Sequence, residues 1–352
     1  MPTKRATVIF DCERMKYPNT GLYVFGKELV AALQKEAIKR GKEFMVYARE
    51  RTLKEWNLNI PRKKPFTLLD KHFLYMSGEI GLWHSPFQQS RCVPVNKKVL
   101  LTVHDLNFLY ELPEKMKEHR LKKLQRATDR ATHIVAISHY VKEDIVKHLN
   151  IRDKEISVIY NGCSIFRGTL QAPSTLPKGK FLFAVGTVLP KKNFHVLPCL
   201  LQDNDYELII AGEHSEYEHQ ILEEAQAYGV GDRVKILGPI PEAEKHWYYK
   251  NCEAFLFPSI AEGFGLPVIE AMYYEKPLFL STHTSLPEIG GNYAFYFNHL
   301  FERKLMQQEF RTGMEAFRKG AIQKGMQSYA LSFSWENAAR QYWDIYEKFL
   351  IV

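Results

Sequence analysis

Apolar residues fall in short continuous runs, and most runs are followed by a longer stretch where they recur every three or four positions. The runs predict strands buried on both faces, and the periodic stretches predict helices with one apolar stripe. In the first half the strands are expected at Thr7–Cys12, Glu43–Ala48, Leu82–His84, Lys98–His104, His133–Ser138 and Ile156–Tyr160. Helices are expected at Leu22–Arg40 and Glu114–Ala131. A second series has strands at Phe181–Val185, Glu207–Ala211, Val234–Leu237, Ala254–Pro258, Pro277–Ser281 and Ala294–Phe297. Strands alternating with helices imply parallel sheets, and two such series imply two α/β domains. Between them, Ser164–Lys180 contains Pro173, Ser174, Pro177 and Gly179 and is expected to be a linker. A last helix, Trp335–Leu350, follows Ser334, a residue suited to cap it. The expected organisation is therefore a domain over 1–163, a linker over 164–180, a second domain over 181–332 and a closing segment over 333–352.

Composition narrows the class. A chain of 352 residues exceeds one typical core, and 45% hydrophobic with 25% charged residues is ordinary for a soluble globular protein. No apolar run approaches the roughly 18 residues of a membrane span. No apolar leader precedes the first strand. The cysteines, Cys12, Cys92, Cys163, Cys199 and Cys252, are scattered and never form a CxxC, which points to reduced thiols in the cytoplasm and no metal site.

Charge separates the halves. Residues 1–163 carry 30 Lys and Arg against 18 Asp and Glu, a net +12, while 164–352 carry 18 against 22, a net −4. The basic half is expected to face an anionic phospholipid surface, a diphosphate-linked lipid or nucleic acid; the alternative is a solvated basic surface. Nucleic acid is disfavoured, since neither an aromatic-basic RNA motif nor a DNA-reading helix is recognisable. The helix over 114–131 holds Lys115, Lys117, Arg120, Lys122, Lys123 and Arg126 beside Leu121 and Leu124. It is suited to rest on anionic lipid, or else is a solvated face with a core-facing Leu stripe.

The most informative segment is Pro258-Ser259-Ile260-Ala261-Glu262-Gly263-Phe264-Gly265-Leu266-Pro267-Val268-Ile269-Glu270-Ala271-Met272. Pro267 suits a first helical turn, so Glu262 is expected on a strand-to-helix loop and Glu270 in the helix. Carboxylates accept from sugar hydroxyls, and free N–H groups at a helix start face phosphate. The segment resembles the Glu-x7-Glu signature of retaining glycosyltransferases of family 4, and the likeness continues through Pro277, Ser281, Leu286, Pro287 and Glu288. This resemblance implies an α/β architecture of GT-B type, with two Rossmann-like doubly wound parallel-sheet domains facing across a cleft. The first would bind the acceptor and the second the nucleotide-sugar donor. It also implies that Glu270 holds the ribose hydroxyls. Glu262 and the Phe264–Gly265 amides would meet the transferred sugar, with Gly263 and Leu266 also in the donor site.

Other strand ends extend the resemblance. Gly186-Thr187-Val188-Leu189-Pro190-Lys191-Lys192-Asn193 places a glycine and two lysines where a diphosphate can sit. Lys192 falls on the family's phosphate-binding lysine; Thr187 stands where many members carry Arg, leaving any second cation to Lys191. Gly212 ends the next strand, and Ile240 in Gly238-Pro239-Ile240-Pro241 is implied to read the nucleobase. In the first domain, Asn19-Thr20-Gly21 resembles a glycine-rich loop reduced to Gly21. His104-Asp105 matches a His-Asp pair whose histidine lies near the sugar. Asp203-Asn204-Asp205 precedes a strand and so sits at its amino end, away from such a site, which predicts no metal requirement. No G-x-G-x-x-G supports a dehydrogenase.

The activity implied is hexosyl transfer with retention of configuration, catalysed by Glu262, Lys192 and His104, with no cofactor beyond the donor. The Gly-Thr-x-x-Pro-x-Lys-Asn and Ser-Leu-Pro-Glu variants lean toward GDP-mannose, with UDP-hexose as competitor. A glycan or lipid-linked acceptor in bacterial surface-polysaccharide or lipopolysaccharide assembly fits, on the cytoplasmic side of the inner membrane. A catalytically silent GT-B partner subunit is the main rival.

Overall fold

The first strand of each half carries a continuous apolar stretch, Val8–Phe10 in one and Phe181–Val185 in the other, as expected of a strand covered on both faces. A computed structural model describes residues 7–15, 21–56, 62–63, 80–90, 92–322 and 324–350. The chain divides into two units, Met1–Ser164 with Phe333–Val352, and Ile165–Ser332.

In chain order the first unit contains β1 (Thr7–Asp11), α1 (Gly21–Arg40), β2 (Phe44–Tyr47), α2 (Glu50–Trp56), β3 (Arg62–Lys63), β4 (Ile80–Ser85) and β5 (Lys98–Val103). Then follow α3 (Phe108–Glu111), α4 (Glu114–Arg130), β6 (His133–Ala136), α5 (His139–His148) and β7 (Ile156–Val158). The strands pair in parallel in the order β3-β2-β1-β4-β5-β6-β7, so the winding reverses between β1 and β4. Several strands stop a residue or two before the apolar run does. His104 leaves the ladder because its N–H donates to Gln88 Oε1 at 3.2 Å, and Ser138 because its hydroxyl accepts the Val141 N–H and caps α5.

The second unit runs β8 (Phe181–Val185), β9 (Glu207–Ala211), α6 (Glu218–Ala227), β10 (Val234–Ile236), α7 (Glu242–Asn251), β11 (Ala254–Phe257), α8 (Leu266–Tyr273) and β12 (Leu278–Leu280). It closes with α9 (Leu286–Gly290), β13 (Phe295–Tyr296), α10 (Arg303–Arg318) and α11 (Met326–Ser332). Its parallel order is β10-β9-β8-β11-β12-β13, reversing between β8 and β11. Every residue of β9 and β11 is buried, as expected of a sheet covered on both faces.

The last helix, α12 (Trp335–Leu350), belongs to the first unit. Ala338, Ala339, Tyr342, Trp343 and Tyr346 recur at helical spacing and pack with Phe25, Leu29 and Leu33 of α1. Ser334 caps it by accepting the Asn337 N–H at 3.1 Å, and Trp343 Nε1 donates to the Leu33 carbonyl at 3.0 Å. Buried His84 ties this helix to the sheet: its ring nitrogens lie 2.5 Å from Tyr346 Oη and 2.8 Å from Thr102 Oγ1. All five cysteines are free thiols. Among the described residues no helix is long and apolar enough to cross a membrane.

Candidate active site

Ligands of open parallel sheets bind beyond the carboxyl ends of the strands where the order reverses. In the second unit, Gly186–Lys192 leaves β8 and Pro258–Gly265 leaves β11 at that point. Lys192 Nζ lies 2.5 Å from Glu262 Oε1, and the same oxygen accepts the Ser259 hydroxyl at 2.7 Å. The Glu262 N–H donates to Thr284 Oγ1 at 3.1 Å, and its carbonyl accepts the Ser285 hydroxyl at 3.1 Å. Thr284 and Ser285 follow β12, so three strand ends fix one carboxylate. The Lys192 ammonium also sits 4.8 Å from the Phe257 ring centre, a cation–π distance.

Lys191 acts through its backbone. Its carbonyl accepts the Ile260 N–H at 2.8 Å and the Ser259 hydroxyl at 3.1 Å, joining the two loops. The two lysines lie in one turn of 3-10 helix, Pro190–Lys192, rather than at the start of an α-helix. Asn193 ends that turn in the left-handed region at φ 58°. Thr187 is exposed beside it.

Glycines let neighbouring loops approach. The Gly186 N–H donates to the Ala211 carbonyl, and the Gly212 N–H to the Gly238 carbonyl, each at 2.9 Å. A Cβ on Gly212 would stand 1.9 Å from the Gly186 oxygen, and φ at Gly212 is 155°, so any side chain there forces one of the two loops to move. Ile240 lies on the loop after β10, two strands from β8, and is half-buried.

Gly265, at φ 109°, turns the chain into α8, which begins at Leu266 with Pro267 in its first turn. Phe264 is buried, and its carbonyl accepts the Ser285 hydroxyl at 3.0 Å; Gly263 lies in the same loop. Glu270, inside α8, is held from α7: Lys245 Nζ lies 3.1 Å from Oε2 and the Tyr249 hydroxyl donates to that oxygen at 2.8 Å. Burial disfavours the Lys245 charge, but Glu270 and Glu242 outweigh it and hold its pKa above the ordinary lysine value. Glu242 is driven down to about 2, chiefly by its bond with His246, against the opposing effect of burial. Lys245 and Tyr249 were not singled out in the sequence, although their four-residue spacing puts them on one face of α7.

In the first unit, His104 stands just beyond β5. Its Nε2 is 2.8 Å from the Pro86 carbonyl, which can only accept, so Nε2 carries the proton. Burial lowers its pKa to about 4, leaving a neutral ring with Nδ1 as an acceptor. The edge-on Phe25 ring, from α1, is 4.5 Å away between centres. Asp105 shapes the turn, accepting the Asn107 N–H at 3.0 Å. Gly21 opens α1 and is exposed, while Asn19 and Thr20 lie outside the described residues.

The reversal between β1 and β4 brings in a group that the sequence did not flag. Asp11 ends β1, accepts the Glu13 N–H at 2.9 Å and accepts the Ser90 hydroxyl. Burial raises its pKa to about 7. A lone acid at the end of an apolar run was the available signal. Asp203 stands in the turn before β9, at the amino end of that strand and 3.7 Å from Arg311.

Comparison with known proteins adds the family. The family model for Glycosyltransferase Family 4 matches residues 28–165, and that for Glycosyl transferases group 1 matches 167–314. The O-antigen chain mannosyltransferase RfbU of Salmonella typhimurium is 30% identical over 58% of this chain and 58% of its own, under two thirds of its length. The O-antigen chain mannosyltransferase B of Escherichia coli is 25% identical over 95% of this chain and 97% of its own. The solved structure of Anabaena HepE in complex with UDP and glucose shares the fold with a TM-score of 0.73, covering 97% of this chain and 99% of that one at 17% identity. Both halves of the chain thus carry their own match, and with the twin parallel sheets they establish that it belongs to the family 4, group 1 glycosyltransferases of GT-B fold.

Proposed function

We propose that this glycosyltransferase moves a mannosyl group from GDP-mannose to a hydroxyl of a glycan or lipid-linked acceptor, with retention of configuration and without a metal ion. The observation that carries the reading is the Lys192–Glu262 pair at the β8/β11 reversal, beside the close approach of Gly186 and Gly212. A diphosphate entering there would replace Glu262 as the partner of Lys192. Charge building on the leaving phosphate would then be met by a fixed cation, a contribution of about 3 kcal/mol. Glu262, released from the lysine, would accept from a sugar hydroxyl. Glu270 is positioned by Lys245 and Tyr249 with lone pairs left for ribose hydroxyls. Neutral His104 offers Nδ1 to a sugar hydroxyl.

The mannosyl preference is drawn from the O-antigen mannosyltransferases that the chain resembles. With the basic first domain, it favours bacterial surface-polysaccharide assembly at the inner face of the membrane. The competing donor is a UDP-hexose, supported by the fold relative solved with UDP and glucose. Thermal stabilisation by GDP, UDP, ADP and dTDP without metal separates these readings, since a ligand raises the midpoint by mass action. A shift with GDP alone supports the proposal, a shift with UDP alone replaces the donor, and no shift with any favours a silent partner subunit.

A further inference from the structure

Among the described residues, two β-branched side chains sit on a left-handed backbone, Ile322 at φ 71° and Thr284 at φ 55°. Such a residue is an outlier, because the branched Cβ crowds the neighbouring carbonyl. Asn193, the left-handed residue beside Lys192, is of a type that tolerates the conformation. Thr284 is half-buried on the loop after β12, where glycine would fit the backbone without strain. Strain of this kind persists only where the surrounding contacts over-determine it.

The contacts here are hydroxyl groups. Ser281 leaves β12 with its N–H on the Phe257 carbonyl at 3.2 Å, and its Oγ accepts the His283 N–H at 3.2 Å, which starts the turn. The same hydroxyl donates to the Ser259 carbonyl at 2.5 Å. On an extended backbone, Thr284 and Ser285 would point to opposite sides. With Thr284 left-handed, both reach one loop. Thr284 Oγ1 accepts the Glu262 N–H at 3.1 Å, and Ser285 Oγ lies 3.1 Å from the Glu262 carbonyl oxygen and 3.0 Å from that of Phe264. Glu262 is thus gripped at both ends of its own backbone from a neighbouring strand end. Its carboxylate meets Lys192 and Ser259. A diphosphate that takes Lys192 away leaves the backbone grip and Ser259 to keep that carboxylate in place.

We propose that Thr284 is a positioning residue for sugar transfer: its strained backbone aims Oγ1 at the Glu262 N–H and so holds the Glu262 carboxylate toward the transferred hexose once Lys192 has turned to the diphosphate. The inference rests on the reading of Glu262 as the residue that meets the sugar. A threonine with only a structural role would affect stability and turnover together. Here the two separate, because the strain follows branching at Cβ and the bond follows the hydroxyl.

The test follows acceptor-independent hydrolysis of GDP-mannose and, in parallel, UDP-glucose by the full chain, in which water takes the hexose and leaves the nucleoside diphosphate and a proton. Thr284→Val keeps the branched Cβ and loses only the hydroxyl; Thr284→Gly loses both. Each should lower kcat by about ten- to a hundredfold, as misplacement of an orienting group does. Neither should weaken binding of GDP or UDP, which lack the hexose. Thr284→Ser returns the hydroxyl and should restore most of kcat. Unfolding midpoints should rank differently, with Thr284→Gly above Thr284→Val by roughly 2–4 °C, the reverse of the usual effect of glycine. Parent-like kcat in the valine or glycine variant, no recovery in the serine variant, nucleoside diphosphate binding that weakens along with kcat, or a valine midpoint at or above that of glycine overturns the proposal. If the parent turns over neither donor, the reading of Glu262 at a donor sugar fails and the role of Thr284 falls with it. Turnover in the parent with no effect of Thr284→Val sinks the role of Thr284 alone.

Discussion

Lys192 and Glu262, 70 positions apart in the chain, meet at 2.5 Å where the second sheet reverses its order. The side chains are only 13% and 16% exposed, so neither charge is well served by water, and each needs the other until a ligand arrives. A diphosphate and Glu262 therefore compete for one ammonium. Lys192→Ala should lower kcat by about 10²- to 10³-fold, the usual effect of removing one donor to a developing anion. Glu262→Gln should also lower kcat but tighten nucleoside diphosphate binding, by about tenfold or 1.4 kcal/mol, because Lys192 is no longer neutralised. Steady-state kinetics with calorimetric titration of the nucleotide measure both. Parent-like turnover in either variant, or weaker nucleotide binding in Glu262→Gln, would contradict the competition.

The close approach of two strand-end loops gives a second prediction. A methyl group at residue 212 would overlap the Gly186 carbonyl at 1.9 Å, so one loop must move. The Gly186 loop is the one that carries Lys191 and Lys192. Gly212→Ala should lower stability by about 1–3 kcal/mol, as overpacking and a strained positive φ do. It should also weaken nucleotide binding more than Thr187→Ala does, since Thr187 is exposed. Urea unfolding and nucleotide titration of the two variants supply the comparison; equal affinities would show that the loop contact does not shape the site.

Much of this was legible because a parallel sheet writes its strands as apolar runs. Phe181–Val185 and Glu207–Ala211 coincide with the expected strands, and α12 follows from the stripe through Trp335, Ala339, Tyr342 and Tyr346. Strands β2 to β7 are recoverable to within a residue or two, except β3, which is two residues long and has no periodicity to detect. The short helices α2 and α3 were missed for the same reason. In the site, the Glu262 and Lys192 positions could be named from their motifs. The long-range links could not: Ser259, Thr284 and Ser285 are ordinary loop residues until the fold brings β11 and β12 together. Lys245 and Tyr249 likewise gain meaning only when α7 lies against α8.

Metal dependence can be argued from position. Asp203 and Asp205 lie before β9, at the amino end of the strand whose carboxyl end leads to Gly212. A metal held there would stand the length of a strand from the diphosphate site, too far to touch it. Activity with saturating chelator should match that with added magnesium or manganese, and Asp203→Ala/Asp205→Ala should retain parent turnover. An absolute requirement for added metal, abolished in that variant, would reverse the assignment.

Asp11 offers a prediction whose sign can be worked out. Burial raises its pKa from the ordinary carboxylate range to about 7, against the lowering effect of the Ser90 hydroxyl and the Glu13 N–H. The folded state therefore binds more protons than the unfolded chain between about pH 4 and 7, and stability contributed by this group falls as pH rises through that window. Asp11→Asn does not titrate. Its Oδ1 can still accept the Glu13 N–H, and its amide can donate to Ser90 Oγ. His84 and His104 run the other way: burial lowers both pKa values, so their contribution is lost as pH falls below about 6.5. Those histidines are common to both proteins and cancel in the difference. The midpoint of Asp11→Asn minus that of the parent should thus climb between pH 5 and pH 8 and level off above, even where both proteins weaken in acid. Thermal melts of the pair at half-unit steps of pH read this directly. A difference that is flat, or that falls with pH, would mean that Asp11 is ionised in the fold and that the Ser90 and Glu13 contacts outweigh its burial.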